Sequence, residues 1–476
     1  MGFREVVVLP PSSISWLLRQ PEDRVSQPKM MSRMLQSRYL LPAHPADEVF
    51  HASTIRVDLN RHLAALTSDI ADEIRAGLAD AWGTDTSNFR SVCVLDTVKH
   101  ISTRISTRVF FGQELTRDAD FLAHTGAFST MLTTCSGLLA LFAPRALRPL
   151  LGPLVALPAR YHAWSMNRKL LPLIQRRLTT LSSSSSPPLP KKCQPNDLLQ
   201  YHVASALASP SPSDRLPATI AARLQLLLGF AAIPTIHLTL GNALLNLSAC
   251  PPPPPSPAVL SLDAIGPADP SSPSPTSPEA LFILRNEAST VLGEHGGTWT
   301  RPSLLQLVRA DSFLKETMRL DIFAGRGLLH EVVAEGGVAL PGEGAVVPKG
   351  AWVGVAASEM QKDEDVYGPG AGEFEGWRFV VGEAKNAEEK DDMGGAGKGR
   401  SMSTTGDTFL AFSRGSHTCP GRFFAANVMK LVLAHVAMEY DIRPLEKRPE
   451  NVTISDVSVP PGKARIEVRR RERVLC

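Results

Sequence analysis

The stretch "FLAFSRGSHTCPGRFF", residues 409–424, places one cysteine in a loop directly before a long apolar run. That run, "AANVMKLVLAHVAMEY", predicts a helix. Pro420 suits the first helical position because it has no amide hydrogen and a preset φ. Cys419 would then lie at the helix cap, where free N–H groups and the helix dipole stabilise a thiolate. Gly421 keeps a Cβ away from a flat ligand, and Gly415 allows the preceding turn.

Four readings compete for this thiol. A buried structural cysteine is the ordinary one. A nucleophile would need a histidine and an Asn or Asp within reach. A zinc ligand would need three partners at close spacing, and only His417 is near. The fourth is an axial thiolate ligand of haem iron, which uses the cap position and the glycines together.

A second motif lies about a hundred residues upstream, in "DSFLKETMRLDIF", residues 311–323. Its pattern predicts an amphipathic helix with Glu316 and Arg319 on one face, three residues apart. An exposed ion pair is the simplest explanation of this spacing. The apolar residues around the pair indicate burial instead, and a buried pair needs further hydrogen-bond partners. "GEFEGWRFVVG" offers one such partner, Arg378.

Composition narrows the class of protein. The chain has 476 residues, 43% of them hydrophobic, and a net charge of +3. The sequence lacks a basic stripe interleaved with aromatic residues, the pattern that would indicate nucleic-acid binding. No signal peptide or unbroken apolar span of membrane length is apparent. The cysteines lack paired spacing, which suits a reducing compartment; they are Cys93, Cys135, Cys193, Cys250, Cys419 and Cys476.

Helical periodicity dominates the chain, as in residues 48–83, 168–181 and 281–295. Strand signals are few: short Val-rich runs within 331–357, and one run near each terminus. Residues about 181–192, 251–278 and 382–407 are rich in Pro, Gly, Ser or charge, which predicts flexible insertions. The sequence thus predicts a single, mainly α domain over 1–476 with a minor β portion.

The motifs "KETMRL", "VVPKGAWV", "FEGWRF" and "FSRGSHTCPG" together resemble the signature set of the cytochrome P450 family. The resemblance is closest to its fungal secondary-metabolism branch, through "FRSVCVLDTVKHISTRISTRVFFGQEL" and "GGTWTRPSLLQLVRADSFLKETMRL". It implies the P450 fold, a triangular helix-rich domain with small β-sheets and haem between distal and proximal helices. It also implies a chain that is short at the N-terminus and lacks the family's membrane anchor.

Several site residues follow from the resemblance. Cys419 would be the thiolate ligand of the iron of haem b, Phe412 would lie against the ring, and Gly421 would adjoin it. His417 would contact one propionate. Ser413 departs from the family, which usually has glycine at this position; a positive φ there would cost about 1 kcal/mol.

The resemblance also assigns the upstream motif. Glu316, Arg319 and Arg378 would form a buried structural triad that holds the haem-side core together. His330 or Arg326 would reach the second propionate, and the sequence does not choose between them.

The oxygen side corresponds to "LQLLLGFAAIPTIHLTLGNALLNLSAC", residues 224–250. Ala231 supplies the small residue where the helix approaches the ring. The Thr235 hydroxyl would relay protons to bound dioxygen; its alternative is a bond to the carbonyl one turn earlier. Pro234 replaces the family's acid or histidine, has no proton to give and removes a helical hydrogen bond. His237 would take part of the relay, or simply pack, and we predict raised peroxide release per NADPH.

The implied activity is monooxygenation of an apolar, terpenoid-like small molecule by a haem-iron oxidoreductase of secondary metabolism. Electrons would come from NADPH through a separate cytochrome P450 reductase, because the chain has no dinucleotide fingerprint. Arg414 would help to dock that partner. The expected location is the endoplasmic reticulum membrane surface by resemblance, with peripheral membrane contact, or the cytoplasm if the chain is complete as given. The alternatives are a non-oxidative haem-thiolate isomerase or dehydratase, and a catalytically impaired, truncated product.

Overall fold

A computed structural model of the protein describes residues 6–40, 54–182, 195–249, 277–342, 344–380 and 401–472. Most of the three predicted insertions therefore lies outside the described residues. Where they overlap, residues 181–182 end one helix and 277–278 begin another. In the overlap 401–407, Met402 is fully buried and its N–H donates to Asp311 Oδ2 at 2.6 Å.

Helices make up most of the described chain, which confirms the predicted fold class. They include a long helix that begins just after a π-helical turn at Ile55–Leu59 and is capped at its C-terminal end by Gly83, which has φ +81°. In order, they are α1 Ile14–Leu18, α2 Gln27–Leu35, α3 Ser37–Leu40, α4 Asn60–Trp82, α5 Val94–Phe111, α6 Gln113–Thr116, α7 Ala119–Leu141, α8 Arg148–Val155, α9 Leu157–Ser182, α10 Leu198–Ala208, α11 Pro217–Leu226, α12 Ile233–Ala249, α13 Ser277–Glu294, α14 Arg301–Gln306, α15 Val308–Leu320, α16 Ala357–Met360, α17 Glu364–Tyr367 and α18 Arg422–Glu439.

Four small sheets complete the described fold. One has the order β1-β7-β4-β2, with β1 parallel to β7 and the other pairs antiparallel. A second has the order β3-β11-β8, and β5/β6 and β9/β10 are two-stranded hairpins. The strands are β1 Val6–Leu9, β2 Val25–Ser26, β3 Arg90–Cys93, β4 Gly327–Val332, β5 Val338–Ala339, β6 Val346–Val347, β7 Trp352–Val355, β8 Tyr440–Ile442, β9 Val452–Ile454, β10 Val457–Val459 and β11 Arg465–Arg470.

Two apolar cores hold these elements. The larger joins the helices, and its residues recur every three or four positions, as Leu63, Leu66, Ile70 and Ile74 do along α4. The smaller lies under the first sheet and includes Val353 and Val355 of β7. The predicted amphipathic patterns therefore mark the faces that pack.

The helix at the centre of the large core runs from Pro217 to Ala249 through α11, a π-helical segment Leu227–Ala232 and α12. We call it the central helix. Among the described residues it has the length and apolar composition of a membrane span, but 67% of its most apolar window is buried inside the protein. A core helix passes the same test of composition, and the neighbours of α12 include α5, α15 and α18.

Candidate active site

The cysteine loop, residues 409–421, is closed by backbone hydrogen bonds. The N–H of Cys419 donates to the carbonyl of Phe412 at 2.8 Å, and the N–H of Thr418 donates to that of Gly415 at 3.2 Å. Helix α18 begins at Arg422 with Gly421 as its N-cap, so the expected helix start at Pro420 is wrong by two residues. Pro420 and Gly421 form a turn that brings the thiol back to the first helical N–H groups.

The backbone N–H groups of Gly421 and Arg422 act on the sulfur of Cys419 and tend to lower the pKa of its thiol. Burial nevertheless raises the pKa of the thiol, outweighing those N–H groups and the Arg422 charge. The helix start alone therefore does not make this cysteine a thiolate at neutral pH. A metal cation does so outright, because a coordinated thiol loses its proton.

Backbone strain is present within the cysteine loop. Ser413 has φ +59°, the left-handed conformation in which the family usually has glycine. Gly415 has φ +74°, and a Cβ there would lie 3.1 Å from Leu18 Cδ2. Gly421 is different: its φ is −88°, and a Cβ would meet no atom within 4 Å. Protein packing therefore does not require glycine at 421, whereas a flat ligand against the loop would.

Two histidines meet beside the cysteine loop. The rings of His330 and His417 lie 5.8 Å apart, edge to face, and His417 Nε2 contacts a carboxylate oxygen of Glu22. His330 is buried, which lowers its pKa, and His417 lowers it further. Arg326 instead pairs with Asp456 at 3.0 Å. Of the two residues expected to reach the second propionate, His330 is therefore the one placed beside His417.

The structure brings Glu316, Arg319 and Arg378 together. Arg319 holds the Glu316 carboxylate with two bonds of 2.7 Å, and both residues are fully buried. The same carboxylate accepts from Arg378 Nε at 3.1 Å and from the N–H of Glu375 at 3.0 Å. The exposed ion pair considered from the sequence is excluded, and the further partners that burial requires are present.

Gln361, which the sequence did not single out, joins this cluster to the cysteine loop. Its carbonyl accepts from Arg319 Nη1 at 2.6 Å, and its side-chain amide donates to the carbonyl of Arg319 at 2.9 Å. Its side-chain oxygen accepts the N–H of Leu410 at 3.0 Å. The buried ion pairs thus fix the start of the loop two residues before Phe412.

Helix α4 and the turn before it also reach the loop, through residues that sequence reasoning missed. Arg56 Nη2 donates to the carbonyl of Ser416 at 3.2 Å, and Asn60 Nδ2 donates to that of Pro420 at 3.3 Å. No local pattern marks either residue, because both partners lie 360 positions away. Arg414, expected to be a docking charge, forms an ion pair with Asp407.

The central helix has one open face. Ala231 is exposed and Thr235 is partly exposed, whereas Ala232, Ile233 and Pro234 between them are buried. In this conformation the Thr235 hydroxyl donates to the carbonyl of Ala231 at 2.6 Å. That bond is the alternative considered from the sequence, and it leaves the oxygen of Thr235 available as an acceptor.

His237 lies on the same helix, and its Nδ1 contacts the carbonyl of Ile233 at 3.1 Å. Burial lowers its pKa to about 4, with a smaller contribution from Lys99. The imidazole is therefore neutral at physiological pH. A neutral ring donating to a helix carbonyl is not itself a store of protons for the open face.

The residues fit a haem group in three respects. The loop supplies one thiol with backbone N–H groups acting on its sulfur, an unfilled position beside Gly421, and histidines at one edge. No cluster of three or more metal-ligating side chains occurs in the described ranges, so a metal held by Cys419 would have fewer than three protein ligands. A planar macrocycle that supplies the remaining ligands matches that donor set.

Comparison with known proteins agrees with this chemistry. The family model for cytochrome P450 matches residues 276–468. The chain is 29% identical to cytochrome P450 monooxygenase polB of Polytolypa hystricis, over 99% of this chain and 84% of that protein. It is 30% identical to cytochrome P450 monooxygenase gloP of Glarea lozoyensis, over 98% and 82% of the two chains.

A solved structure agrees in fold. Retinoic acid bound cyanobacterial CYP120A1 superposes with a TM-score of 0.64 at 17% identity, covering 96% of this chain and 87% of that one. The similar sequences are fungal cytochrome P450 monooxygenases, for which haem is the family's cofactor. This chain therefore belongs to the cytochrome P450 family and is an oxidoreductase of its monooxygenase class.

Proposed function

We propose that this chain uses haem b and NADPH-derived electrons to insert one oxygen atom of O₂ into an apolar, terpenoid-like small molecule. The observation that carries the proposal is Cys419, a lone thiol with two backbone N–H groups acting on its sulfur, beside a glycine whose Cβ position is empty. When bound, haem supplies the iron at which dioxygen is reduced. Cys419 would be its thiolate ligand, the residue through which the chain would tune that chemistry.

Each site residue then has a defined task. Cys419 holds the iron, and Phe412 and Gly421 shape the loop against the ring. His417 and His330 would contact the propionates at one edge, where His417 Nε2 contacts a carboxylate oxygen of Glu22. Glu316, Arg319 and Arg378 fix the loop through Gln361 and so keep the sulfur in place.

Ala231 and Thr235, on the open face of the central helix, would lie on the oxygen side of the haem. Ala231 is small enough to leave room, and the Thr235 hydroxyl accepts or passes a proton after turning from the Ala231 carbonyl. Pro234 gives no proton, and His237 is neutral. Proton delivery then depends on Thr235 and on water.

The electron donor is proposed to be NADPH–cytochrome P450 reductase. Support comes from Arg56, an exposed arginine bonded to the Ser416 carbonyl of the cysteine loop, and from Arg61, also exposed five residues further along the chain, since Arg414 is already paired with Asp407. An acidic partner surface would be attracted here. Reversing both exposed charges, Arg56→Glu with Arg61→Glu, is expected to raise the salt-sensitive KM for the reductase.

A membrane surface is the second proposed partner. Residues 138–164 carry an apolar patch. The sequence from 121 to 196 contains neither Asp nor Glu. Arginines adjoin the patch, so its charge matches anionic lipid headgroups. With their exposed fractions, its members are Leu138 46%, Phe142 74%, Leu147 49%, Leu150 68%, Leu154 59%, Leu157 57%, Tyr161 56% and Trp164 58%.

Vesicle sedimentation tests this contact. The protein should bind phosphatidylcholine vesicles more strongly when they contain phosphatidylserine, and Phe142→Ser with Leu150→Ser should weaken binding. Leu305→Ser, at a 72% exposed leucine outside the patch, is the matched control. Equal binding by the patch variant and the control would reject the membrane contact while leaving the proposed chemistry intact.

The chemistry itself is tested by the spectrum of the reduced, carbon-monoxide-bound protein. A red-shifted Soret band is expected for the wild type and should disappear in Cys419→Ser, while Cys135→Ser, at a buried cysteine in α7, should keep it. Substrate turnover should then require NADPH, reductase and O₂. Turnover without NADPH would support the isomerase or dehydratase instead, for which the protonless Pro234 is the favouring observation.

A further inference from the structure

The central helix changes its hydrogen-bond register just before the open face. From Leu227 to Ala232 the helix is π-helical, and the N–H of Ile233 donates to the carbonyl of Leu228, five residues back. Such a turn inserts one extra residue into the helix. The extra residue rotates the open face relative to the helix that precedes it.

Because residue 234 is proline, this register leaves the carbonyl of Gly229 without a donor from the helix backbone. In an α-helix the carbonyl of Gly229 would accept the N–H of Ile233, but that N–H is bound to Leu228. In the π-helical register its donor would be residue 234, which is proline and has no N–H. Neither helical donor therefore serves Gly229, which is buried.

A side chain from a neighbouring helix supplies the missing hydrogen bond. The hydroxyl of Ser129, in α7, donates to the carbonyl of Gly229 at 2.9 Å, and Ser129 is only 2% exposed. Gly229 itself allows the approach, because a Cβ there would lie 2.6 Å from Phe128 Cε1 and 3.1 Å from Leu132 Cδ2. The hydrogen bond and the close packing are two independent observations of the contact between α7 and the central helix.

We propose that Ser129 is a positioning residue for the oxygen side of the site. It completes the hydrogen bonding that Pro234 removes and thereby stabilises the π-helical turn that presents Ala231 and Thr235 on the open face. The role of Ser129 in stabilising the π-helical turn does not depend on the proposed function. The effect of Ser129 on oxygen chemistry rests on the proposed function.

Removing the hydroxyl should loosen the turn. A buried carbonyl without a donor shifts a conformational equilibrium by about tenfold or more. In Ser129→Ala we therefore expect amide hydrogen exchange across residues 227–240 to rise about tenfold. In the haem-loaded protein, an apolar ligand whose binding is followed by absorption spectroscopy should give a different high-spin fraction in the variant. The peroxide released per NADPH should also increase.

Ser136→Ala is the matched control. Ser136 is buried on the same helix, and its hydroxyl donates to a carbonyl outside the central helix, that of Met34, at 3.0 Å. Both variants lose one buried hydroxyl bond, so both should lower the melting temperature similarly. Only Ser129→Ala should raise exchange at 227–240.

Pro234→Ala supplies the decisive cross-check. It gives residue 234 an N–H five residues after Gly229, so the carbonyl no longer depends on Ser129. The effect of Ser129→Ala on exchange should fall at least threefold in the Pro234→Ala background. If Ser129→Ala alone fails to fold, the double variant should restore a folded protein.

Additive effects in this cycle, a double variant that stays unfolded, or equal exchange in Ser129→Ala and Ser136→Ala would each overturn the proposal. Exchange is measured without turnover, so these outcomes do not depend on the monooxygenase assignment. A wild type that lacks the red-shifted Soret band would instead count against the proposed function alone.

Discussion

The substitution Glu316→Gln tests the buried cluster behind the cysteine loop. It keeps the size of the side chain and one carbonyl oxygen, but it removes the charge that Arg319 and Arg378 share. Arg319 donates to the Glu316 carboxylate and to the carbonyls of Gln361 and Ala371, the latter two at 2.6 Å. The guanidinium therefore cannot follow a new partner without breaking other bonds.

The expected magnitude follows from burial. Glu316 and Arg319 are both 0% exposed, and removing one partner of a buried ion pair costs about 3–5 kcal/mol. The entropy of unfolding is about 2.1 cal/mol/K per residue. For 476 residues this gives roughly 1 kcal/mol per kelvin, so the melting temperature should fall by about 3–5 °C.

Differential scanning calorimetry of the haem-loaded protein measures this shift. Glu114→Gln makes the same chemical change in an exposed pair with Arg176, where the side chains are 64% and 60% exposed. Exposed pairs contribute about 0–1 kcal/mol, so the control should shift the transition by about 1 °C or less. Equal shifts in Glu316→Gln and Glu114→Gln would refute the view that the cluster supports the core.

Three further outcomes are expected. Ser413→Gly should raise stability by about 1 kcal/mol, because glycine adopts φ +59° without strain; a loss of stability on calorimetry would contradict this. His237 is neutral in the folded state, with a pKa of about 4, but titrates near 6.5 when unfolded. The contribution of the neutral His237 to the free energy of unfolding is therefore complete above pH 6.5 and is lost as the pH falls toward 4. Between pH 6.5 and 4 the melting temperature of the wild type should fall more steeply than that of His237→Gln. Because Pro234 has no proton to give, the wild type should release peroxide during NADPH oxidation; full coupling to product with the true substrate would contradict this.

The sequence predicted best where the chemistry is carried by neighbouring residues. Cys419, Gly415 and the residues around them lie in one short stretch, and the Glu316–Arg319 spacing places both side chains on one helix face. Even there, the helix start was placed at Pro420 instead of Arg422, because the Pro-Gly turn and the first helical turn use similar residues. Helix boundaries depend on backbone bonds that residue preferences determine only loosely.

Contacts between distant parts of the chain were not predictable in this way. Gln361 lies in "ASEMQKDED", a polar stretch that indicates an exposed helix, yet it is fully buried between Arg319 and Leu410. Its burial follows from the sheets and helices packed around it, and no periodicity encodes that packing. The same holds for Arg56, whose acceptor belongs to the cysteine loop.

Pro234 shows how the structure changes the meaning of a sequence departure. In the sequence it is a missing proton donor with a broken helical bond, and only the missing proton counts against the oxygen side. In the structure the broken bond falls at Gly229, inside a π-helical turn, and Ser129 supplies the hydrogen bond from α7. The missing proton and the missing N–H are therefore separate effects. A carbonyl can be satisfied by any buried donor in reach, whereas a proton relay needs a titratable or exchangeable group at the reacting oxygen, a task that the proposed function assigns to Thr235 and water.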